Sequence, residues 1–118
     1  MKERGGIGRK TRNPARGKAP NKAQVKAILR QLMPELRRVY RVHSLALFGS
    51  IARGEAKARS DIDLLVEFDD AENPVSLLEF IALRDFLSDT LKRRVDLVEK
   101  QTLRPALRER ILREAEQI

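Results

Sequence analysis

The segment Leu45–Phe68, LALFGSIARGEAKARSDIDLLVEF, contains the feature that most constrains the fold. Two acids, Asp61 and Asp63, stand one residue apart at the start of an otherwise apolar run. Side chains alternate across a β-strand, so these two carboxylates share one face and the intervening apolar residues share the other. Because a buried carboxylate is costly unless it is paired or bound to a cation, the pattern predicts a strand with one core face and one functional face.

The remaining segments alternate between helical and extended patterns. Apolar residues recur at helical spacing after a capping Asn21, and Pro34 is expected to bend or restart that helix. The later elements are predicted as a strand at 44–48, a short helix from Ser50, a turn at 55–60, a strand at 61–68, a helix capped by Asn73 with Pro74 at its first position, a strand at 94–98, and a helix that begins at Thr102 or a neighbour and runs to Ala115. This order predicts an α/β fold, a small mixed β-sheet flanked by helices.

The charge of the chain is concentrated at its N-terminus. Of a net charge of +8 over 118 residues, +7 falls within residues 1–22, which are rich in Gly, Pro, Arg and Lys. We therefore expect a disordered basic arm over residues 1–20, where nucleic acid is a conceivable partner, and one domain over residues 21–118. The chain has no cysteine and no long apolar run, which favours a cytoplasmic location without membrane association.

The acids suggest a metal site. With His43 as its single histidine, the chain would have to bind a metal mainly through carboxylates, which suit Mg²⁺. A divalent cation between Asp61 and Asp63 would relieve their mutual repulsion. The segment RRVDLVEK places a third acid, Asp96, in an apolar setting. If its strand lies beside the strand of Asp63, Asp96 can be the third metal ligand or the general base.

Gly49 and Ser50 supply a complementary feature. A glycine at the end of a strand lets a phosphate approach the backbone, and a helix that starts there presents free N–H groups. Ser50 adds a hydroxyl donor. Each of these signals is weak alone, since an Asp-x-Asp pair can lie on a solvent-facing edge. Their order and spacing together predict a phosphate site next to a metal site.

The stretch FGSIARGEAKARSDIDLLVEF resembles the Gly-Ser, ten residues, Asp-x-Asp signature of the DNA polymerase β-like nucleotidyltransferase superfamily. The resemblance covers about Asn21 to Ile118, and the size is similar to that of the minimal nucleotidyltransferases, the MNT proteins. It implies the polymerase β-like fold, with Gly49 and Ser50 on the triphosphate, Asp61 and Asp63 on Mg²⁺, and Asp96 as third ligand or base. It also suggests that Arg53 contacts phosphate, although an outward ion pair with Glu55 is an equal alternative.

The same resemblance implies a function. MNT proteins are typically encoded beside a HEPN-domain RNase toxin and act as its antitoxin, by moving AMP from ATP onto a tyrosine of that partner. For this chain it implies a Mg²⁺-dependent protein adenylyltransferase with ATP as substrate and a HEPN protein as partner. Two alternatives stay open: neutralisation of the partner by binding alone, and nucleotidyl transfer to RNA or to a small molecule.

Overall fold

A computed structural model describes residues 19–118, so the arm predicted over residues 1–20 lies almost entirely outside the described residues. The described elements are α1 (Lys22–Tyr40), β1 (Val42–Phe48), α2 (Gly49–Ala52), β2 (Ile62–Phe68), α3 (Leu77–Leu91), β3 (Val95–Glu99), a 3₁₀ turn (Lys100–Thr102), α4 (Pro105–Glu114) and β4 (Glu116–Gln117). The predicted alternation of helices and strands is confirmed, and the short strand β4 is added at the C-terminus. None of the described helices is long and apolar enough to cross a membrane.

The strands form one mixed sheet in the order β3-β2-β1-β4. Strand β1 pairs antiparallel with β2 on one side and with β4 on the other, whereas β2 and β3 run parallel. The predicted small mixed sheet flanked by helices is therefore confirmed. The parallel pair matters for function because its register sets Asp63 directly beside Asp96.

The two faces of the sheet are covered unequally. Helices α1 and α3 pack over one face and form the main core with the strand residues that point to it, among them Leu29, Leu36, Leu45, Leu47, Ile62, Leu64, Val66, Leu83 and Leu87. The other face carries a small cluster in which Ile111 of α4 packs on Ala46, Phe48 and Leu65. Half-buried Val98 of β3 also packs against this cluster, whereas Asp96 of the same strand stays exposed.

Two predictions concern helix boundaries, at Pro34 and at the start of α3. Of the two effects expected of Pro34, a restart is absent, since the first helix is one element from Lys22 to Tyr40 with Pro34 inside it, and a bend stays a prediction. The predicted start of α3 was wrong. Asn73 and Pro74 do not begin α3, because Ser76 forms a capping box with Glu79. The Ser76 hydroxyl accepts from Glu79 N (3.2 Å) and the Glu79 carboxylate accepts from Ser76 N (3.0 Å), which satisfies two free amides at once.

The C-terminal segment also differs from the prediction. Helix α4 begins at Pro105 after Arg104, and Thr102 instead donates its hydroxyl to Glu99 O (2.9 Å). The helix ends at Glu114, since the backbone from Ala115 is extended and β4 pairs with β1. The carboxylate of Glu116 binds Lys22 (2.8 Å) and Lys26 (3.1 Å) of α1, which ties the chain end to the first helix. A strand of two residues has no periodicity by which sequence could reveal it.

Candidate active site

The predicted acids gather at one end of the β2–β3 pair. Asp63 lies second in β2 and is the register partner of Asp96 in β3, so the sequence-based condition for a shared acidic site is met. Asp61, the first residue of the predicted strand, immediately precedes β2, which begins at Ile62. Asp61 and Asp96 also line one cavity of about 830 Å³ at the outer side of β3.

The carboxylate of Asp63 lies in an unusual electrostatic environment. Partial burial raises its pKa to about 6, helped by the negative charges of Asp96 and Asp61 and a hydrogen bond with Asp96. The positive charge of Arg53 opposes this effect only weakly. An acidic pair with so little compensating positive charge favours protonation or a bound cation at neutral pH.

The carboxylates of the site fit a magnesium ion that takes some of its ligands from the protein and the others from a nucleotide. Within residues 19–118 no three acidic or histidine side chains converge closely enough to hold a metal by themselves. Magnesium, however, binds through one or two carboxylates and takes its other ligands from water and substrate phosphates. Asp63 and Asp96, side by side with hard oxygen donors, match that requirement. The part of Asp61 as a further ligand stays a prediction.

Gly49 lies against this acidic pair for a steric reason. The end of β1 is paired with β2 so that Phe48 opposes Asp63, and the chain then turns into α2 with Gly49 at φ +77°. A Cβ on Gly49 would overlap Asp63 Oδ2 and would lie 2.8 Å from Asp63 Cγ. Only glycine combines this left-handed backbone with so close an approach. The structure thus brings the predicted phosphate site and the predicted metal site into contact.

Arg53 and Glu114 complete the surroundings of Gly49. The Arg53 guanidinium binds Glu55 through Nε (2.9 Å) and Glu114 through one terminal nitrogen (3.2 Å). Glu114 also accepts a hydrogen bond from Gly49 N (2.8 Å). The ion pair with Glu55 that was the alternative for Arg53 is therefore present, yet the second terminal nitrogen of Arg53 has no hydrogen bond within residues 19–118.

Sequence reasoning missed Glu114. It is the last residue of α4, and a single acid at a helix end carries no spacing or motif signal. The structure makes Glu114 a neighbour of the site because α4 packs across the sheet face opposite α1 and α3 and ends beside α2. Of the predicted residues, Gly49 and Arg53 bond to Glu114, Asp63 adjoins Gly49, and Asp96 adjoins Asp63, while half-buried Ser50 follows Gly49 in α2.

This geometry agrees with comparisons to known proteins. The family model described as "Nucleotidyltransferase domain" matches residues 29–118. "Putative protein adenylyltransferase MJ1215" of Methanocaldococcus jannaschii is 44% identical over 88 residues, which are 75% of this chain and 99% of that protein. "Protein adenylyltransferase MntA" of Thermococcus cleftensis is 42% identical over 91 residues, 77% of this chain and 89% of the relative.

Solved structures give the same answer for the fold. One described as "putative minimal nucleotidyltransferase" has a TM-score of 0.67 at 35% identity and covers 84% of this chain and 95% of its own. Tri-AMPylated Shewanella oneidensis HEPN toxin in complex with MNT antitoxin contains a chain with a TM-score of 0.58 at 20% identity, covering 81% of this chain and 70% of that one. The second likeness, at that identity, supports the fold alone.

A family model over residues 29–118 and relatives more than 40% identical to this chain identify the class of protein as a nucleotidyl-transferring enzyme. The chain belongs to the nucleotidyltransferase domain family, and its likeness to the minimal nucleotidyltransferases is confirmed. It is a nucleotidyltransferase, as the sequence predicted.

Proposed function

We propose that this nucleotidyltransferase moves AMP from ATP onto a hydroxyl of a partner protein, with Mg²⁺, and thereby acts as the antitoxin of a HEPN-domain toxin. The observation that carries the proposal is the register of β2 and β3, in which Asp63 and Asp96 adjoin each other against the Gly49 turn. The names of two relatives, both protein adenylyltransferases more than 40% identical to this chain, support a protein as the acceptor.

Each residue of the site then has a physical task. The N–H of Gly49 donates to Glu114, so the N–H groups of α2 that follow it, with the Ser50 hydroxyl and the unbonded nitrogen of Arg53, bind the triphosphate, whose negative charge suits these donors. Asp63 and Asp96, with Asp61 as the further predicted ligand, would hold Mg²⁺, and the ion would supply positive charge to neutralise the phosphates. Positioning and charge neutralisation supply most of the catalysis in such a site.

The chemical step is a displacement at the α-phosphorus. The acceptor hydroxyl oxygen forms a bond to that phosphorus while the bond to the bridging oxygen of pyrophosphate breaks. Asp96 is exposed, in contrast to half-buried Asp63, and can accept the proton that the hydroxyl loses. The products are an AMP–protein phosphodiester and pyrophosphate.

The HEPN partner and its tyrosine acceptor follow from the family resemblance. The Shewanella oneidensis complex supports the HEPN partner, since there an AMPylated HEPN toxin is bound to an MNT antitoxin of the same fold, while the tyrosine rests on the resemblance alone. We extend to this chain the idea that modification, and not contact alone, silences the toxin. The intact acidic pair favours this over neutralisation by binding alone, which does not need carboxylates beside a glycine turn.

Labelled ATP tests the proposal. The protein is incubated with Mg²⁺ and a lysate of its source cells, with ATP labelled at the α-phosphate in one sample and at the γ-phosphate in another. We expect a protein band labelled only from the α-position and absent with the Asp61→Asn/Asp63→Asn variant. Label from the γ-position, label in RNA, or equal labelling by the variant would each contradict the proposal, and the mass of the labelled protein identifies the acceptor.

A further inference from the structure

The outer strand β3 has an open edge next to the acidic pair. Ile62 N donates to Arg94 O (2.9 Å) and Ile62 is the register partner of Val95. In a parallel pair of strands only every second residue of a strand forms backbone hydrogen bonds with its partner strand. With this register, the residues of β3 that bond to β2 are Asp96 and Val98. The backbone N–H and C=O groups of Val95, Leu97 and Glu99 therefore point away from the sheet.

Only some of these outward groups have partners. Val95 N donates to the Ser88 hydroxyl of α3 (3.2 Å), and Glu99 O accepts from the Thr102 hydroxyl (2.9 Å). Within residues 19–118 the outward N–H and C=O of Leu97, at the centre of β3, have no hydrogen bond, nor does the N–H of Glu99. Such a row of free backbone groups is a template for another strand.

Two cavities run along this edge and make a groove of it. The first, of about 830 Å³, extends from Asp61 and Asp96 past Ser88 to Phe80 and Leu97. The second, of about 350 Å³, continues from Phe80 and Leu97 to Thr102 and Leu77. We call Val95–Glu99 with these two cavities the edge groove. Its catalytic end carries both charges, because the acidic side chains of Asp61, Asp85 and Asp96 lie among the basic ones of Arg84, Lys92, Arg93 and Arg94. Its far end is apolar, and there Leu77 is 72% exposed.

We propose that the edge groove binds an extended, hydroxyl-bearing segment of the acceptor protein as an additional β-strand. Neighbouring strands lie about 4.8 Å apart, and residues in register share a face. A residue paired with Asp96 on its outer side would extend the row that already contains Asp63 and Asp96. The strand pairing alone would thus bring the acceptor side chain to the group that takes its proton. This proposal rests on the proposed function and specifies how its acceptor is held.

The free backbone groups of β3 favour a peptide over a nucleic acid, even though the first cavity also carries the basic side chains of Arg84, Lys92, Arg93 and Arg94. The unsatisfied groups of the groove are backbone amides and carbonyls in strand geometry, which pair with another backbone. Its far end offers Leu77, Phe80 and Val75, which suit apolar side chains of a peptide. A backbone-paired strand would also select one acceptor residue by its position, because only the residue opposite Asp96 reaches the acids.

Glu99→Pro tests the backbone pairing, with Glu99→Ala as its control. Both variants remove the Glu99 side chain, but only proline removes the outward N–H, and Glu99 has a φ of −83° that proline tolerates. The substrate is the acceptor protein identified by α-labelled ATP. We expect the KM for acceptor to be about fivefold to tenfold higher for the proline variant than for the alanine variant. The KM for ATP and the melting temperature should be alike in the two.

Leu77→Asp tests the apolar end, with Leu78→Asp as its control. Both leucines are strongly exposed, at 72% and 79%, but only Leu77 lines the edge groove. We expect Leu77→Asp alone to raise the KM for acceptor, and neither variant to change ATP binding. This pair needs no change in β3, so it keeps the test valid if Glu99→Pro fails to fold.

The outcomes separate this proposal from the proposed function. Normal transfer to protein by Glu99→Pro and by Leu77→Asp would overturn the edge groove and leave protein adenylylation intact. An equal rise in the KM for acceptor in Leu77→Asp and Leu78→Asp would also overturn it, because the acceptor would then contact α3 outside the edge groove. If the wild type labels RNA or nothing, both the proposed function and the edge groove are wrong.

Discussion

The two faces of strand β2 show opposite uses of neighbouring residues. Leu64 points into the core between the sheet and helices α1 and α3 and is fully buried, whereas Asp63, one residue earlier, points to the opposite face and adjoins Asp96. The core face gains stability by removing apolar area from water. The face that we propose to be catalytic gathers carboxylates, and partial burial together with the repulsion among their charges raises the pKa of Asp63 to about 6. The alternation of side chains thus separates stability from chemistry within a single strand.

The same separation extends to the covering helices. Helices α1 and α3 contribute Leu29, Leu36, Leu83 and Leu87, all fully buried, to the core face. Helix α4 buries only Ile111 against the other face and ends in Glu114, which contacts the site. The light cover leaves space for substrates near Asp96. The predictions below change one face at a time.

The largest effect is expected from removal of the two carboxylates of the Asp-x-Asp motif, Asp61 and Asp63. The double variant Asp61→Asn/Asp63→Asn loses metal-binding charge but keeps the shape of both side chains, so AMP transfer should fall by a factor of about a thousand or more, about 4 kcal/mol in the barrier. Transfer is measured with α-labelled ATP, and folding by circular dichroism. A well-folded double variant with transfer near the wild-type rate would refute the assignment of the site.

On the core face, Leu64→Ala should act on stability alone. The buried leucine leaves a cavity when it is truncated, and such changes lower the free energy of unfolding by about 3 kcal/mol. The KM for ATP of the folded protein should change little at low temperature, since Leu64 points away from Asp63. Urea unfolding and ATP titration measure the two effects. A large rise in this KM without a loss of stability would contradict the separation of the faces.

Two glycines with similar backbones sharpen the comparison. Gly49 and Gly54 have φ values of +77° and +74°, but an added Cβ at Gly54 meets no atom within 4 Å. Gly54→Ala should therefore destabilise the protein by about 1 kcal/mol, from backbone strain alone. Gly49→Ala adds the overlap with Asp63 and should cost about 3 kcal/mol and lower activity. Thermal unfolding measures the stability of both variants, and an equal loss of stability in the two would show that the close approach of Gly49 to Asp63 has no effect.

A smaller effect is expected at Glu114. Its side chain is 18% exposed and bonds to both Gly49 N and Arg53, so Glu114→Ala should release both and raise the KM for ATP about tenfold. Glu114→Gln keeps an acceptor for Gly49 N and should raise it about threefold. Glu109→Ala is the matched control, because Glu109 is an exposed acid of α4 paired with Arg113. A Glu114→Ala variant with the ATP affinity of the control would exclude this positioning role.

Features that are encoded within a few neighbouring residues were predicted correctly from sequence, whereas features that depend on distant parts of the chain were not. The strand of Asp63 was predicted because a period of two is visible within a few residues, the family signature pointed to Gly49, and the apolar setting of Asp96 pointed to a third acid. The start of α3 was mispredicted because Asn73–Pro74 is also a good start signal, and only the structure reveals the reciprocal bonds of Ser76 and Glu79. The place of Glu114 depends on the path of α4 across the sheet, which no local pattern encodes.

The pH dependence of stability has a definite sign at Asp63. Its folded-state pKa, about 6, lies above the usual value of 3.8, so the folded state binds the proton more tightly than the unfolded state. The stabilising contribution of this proton is fully present below about pH 4 and is lost as the pH rises through about 6. At neutral pH the charged Asp63 therefore weakens the ligand-free protein.

The most direct test of the account is a melting experiment on wild type and Asp63→Asn, with and without Mg²⁺ and ATP, at about pH 5 and about pH 7. We predict that the variant without ligand is more stable than wild type by about 1 kcal/mol at pH 7, after allowance for solvent screening, and by less at pH 5. Mg²⁺ with ATP should raise the melting temperature of the wild type only. A variant that is less stable than wild type, or that is stabilised equally by Mg²⁺ and ATP, would contradict the claim that Asp63 lowers stability in order to bind the metal–nucleotide complex.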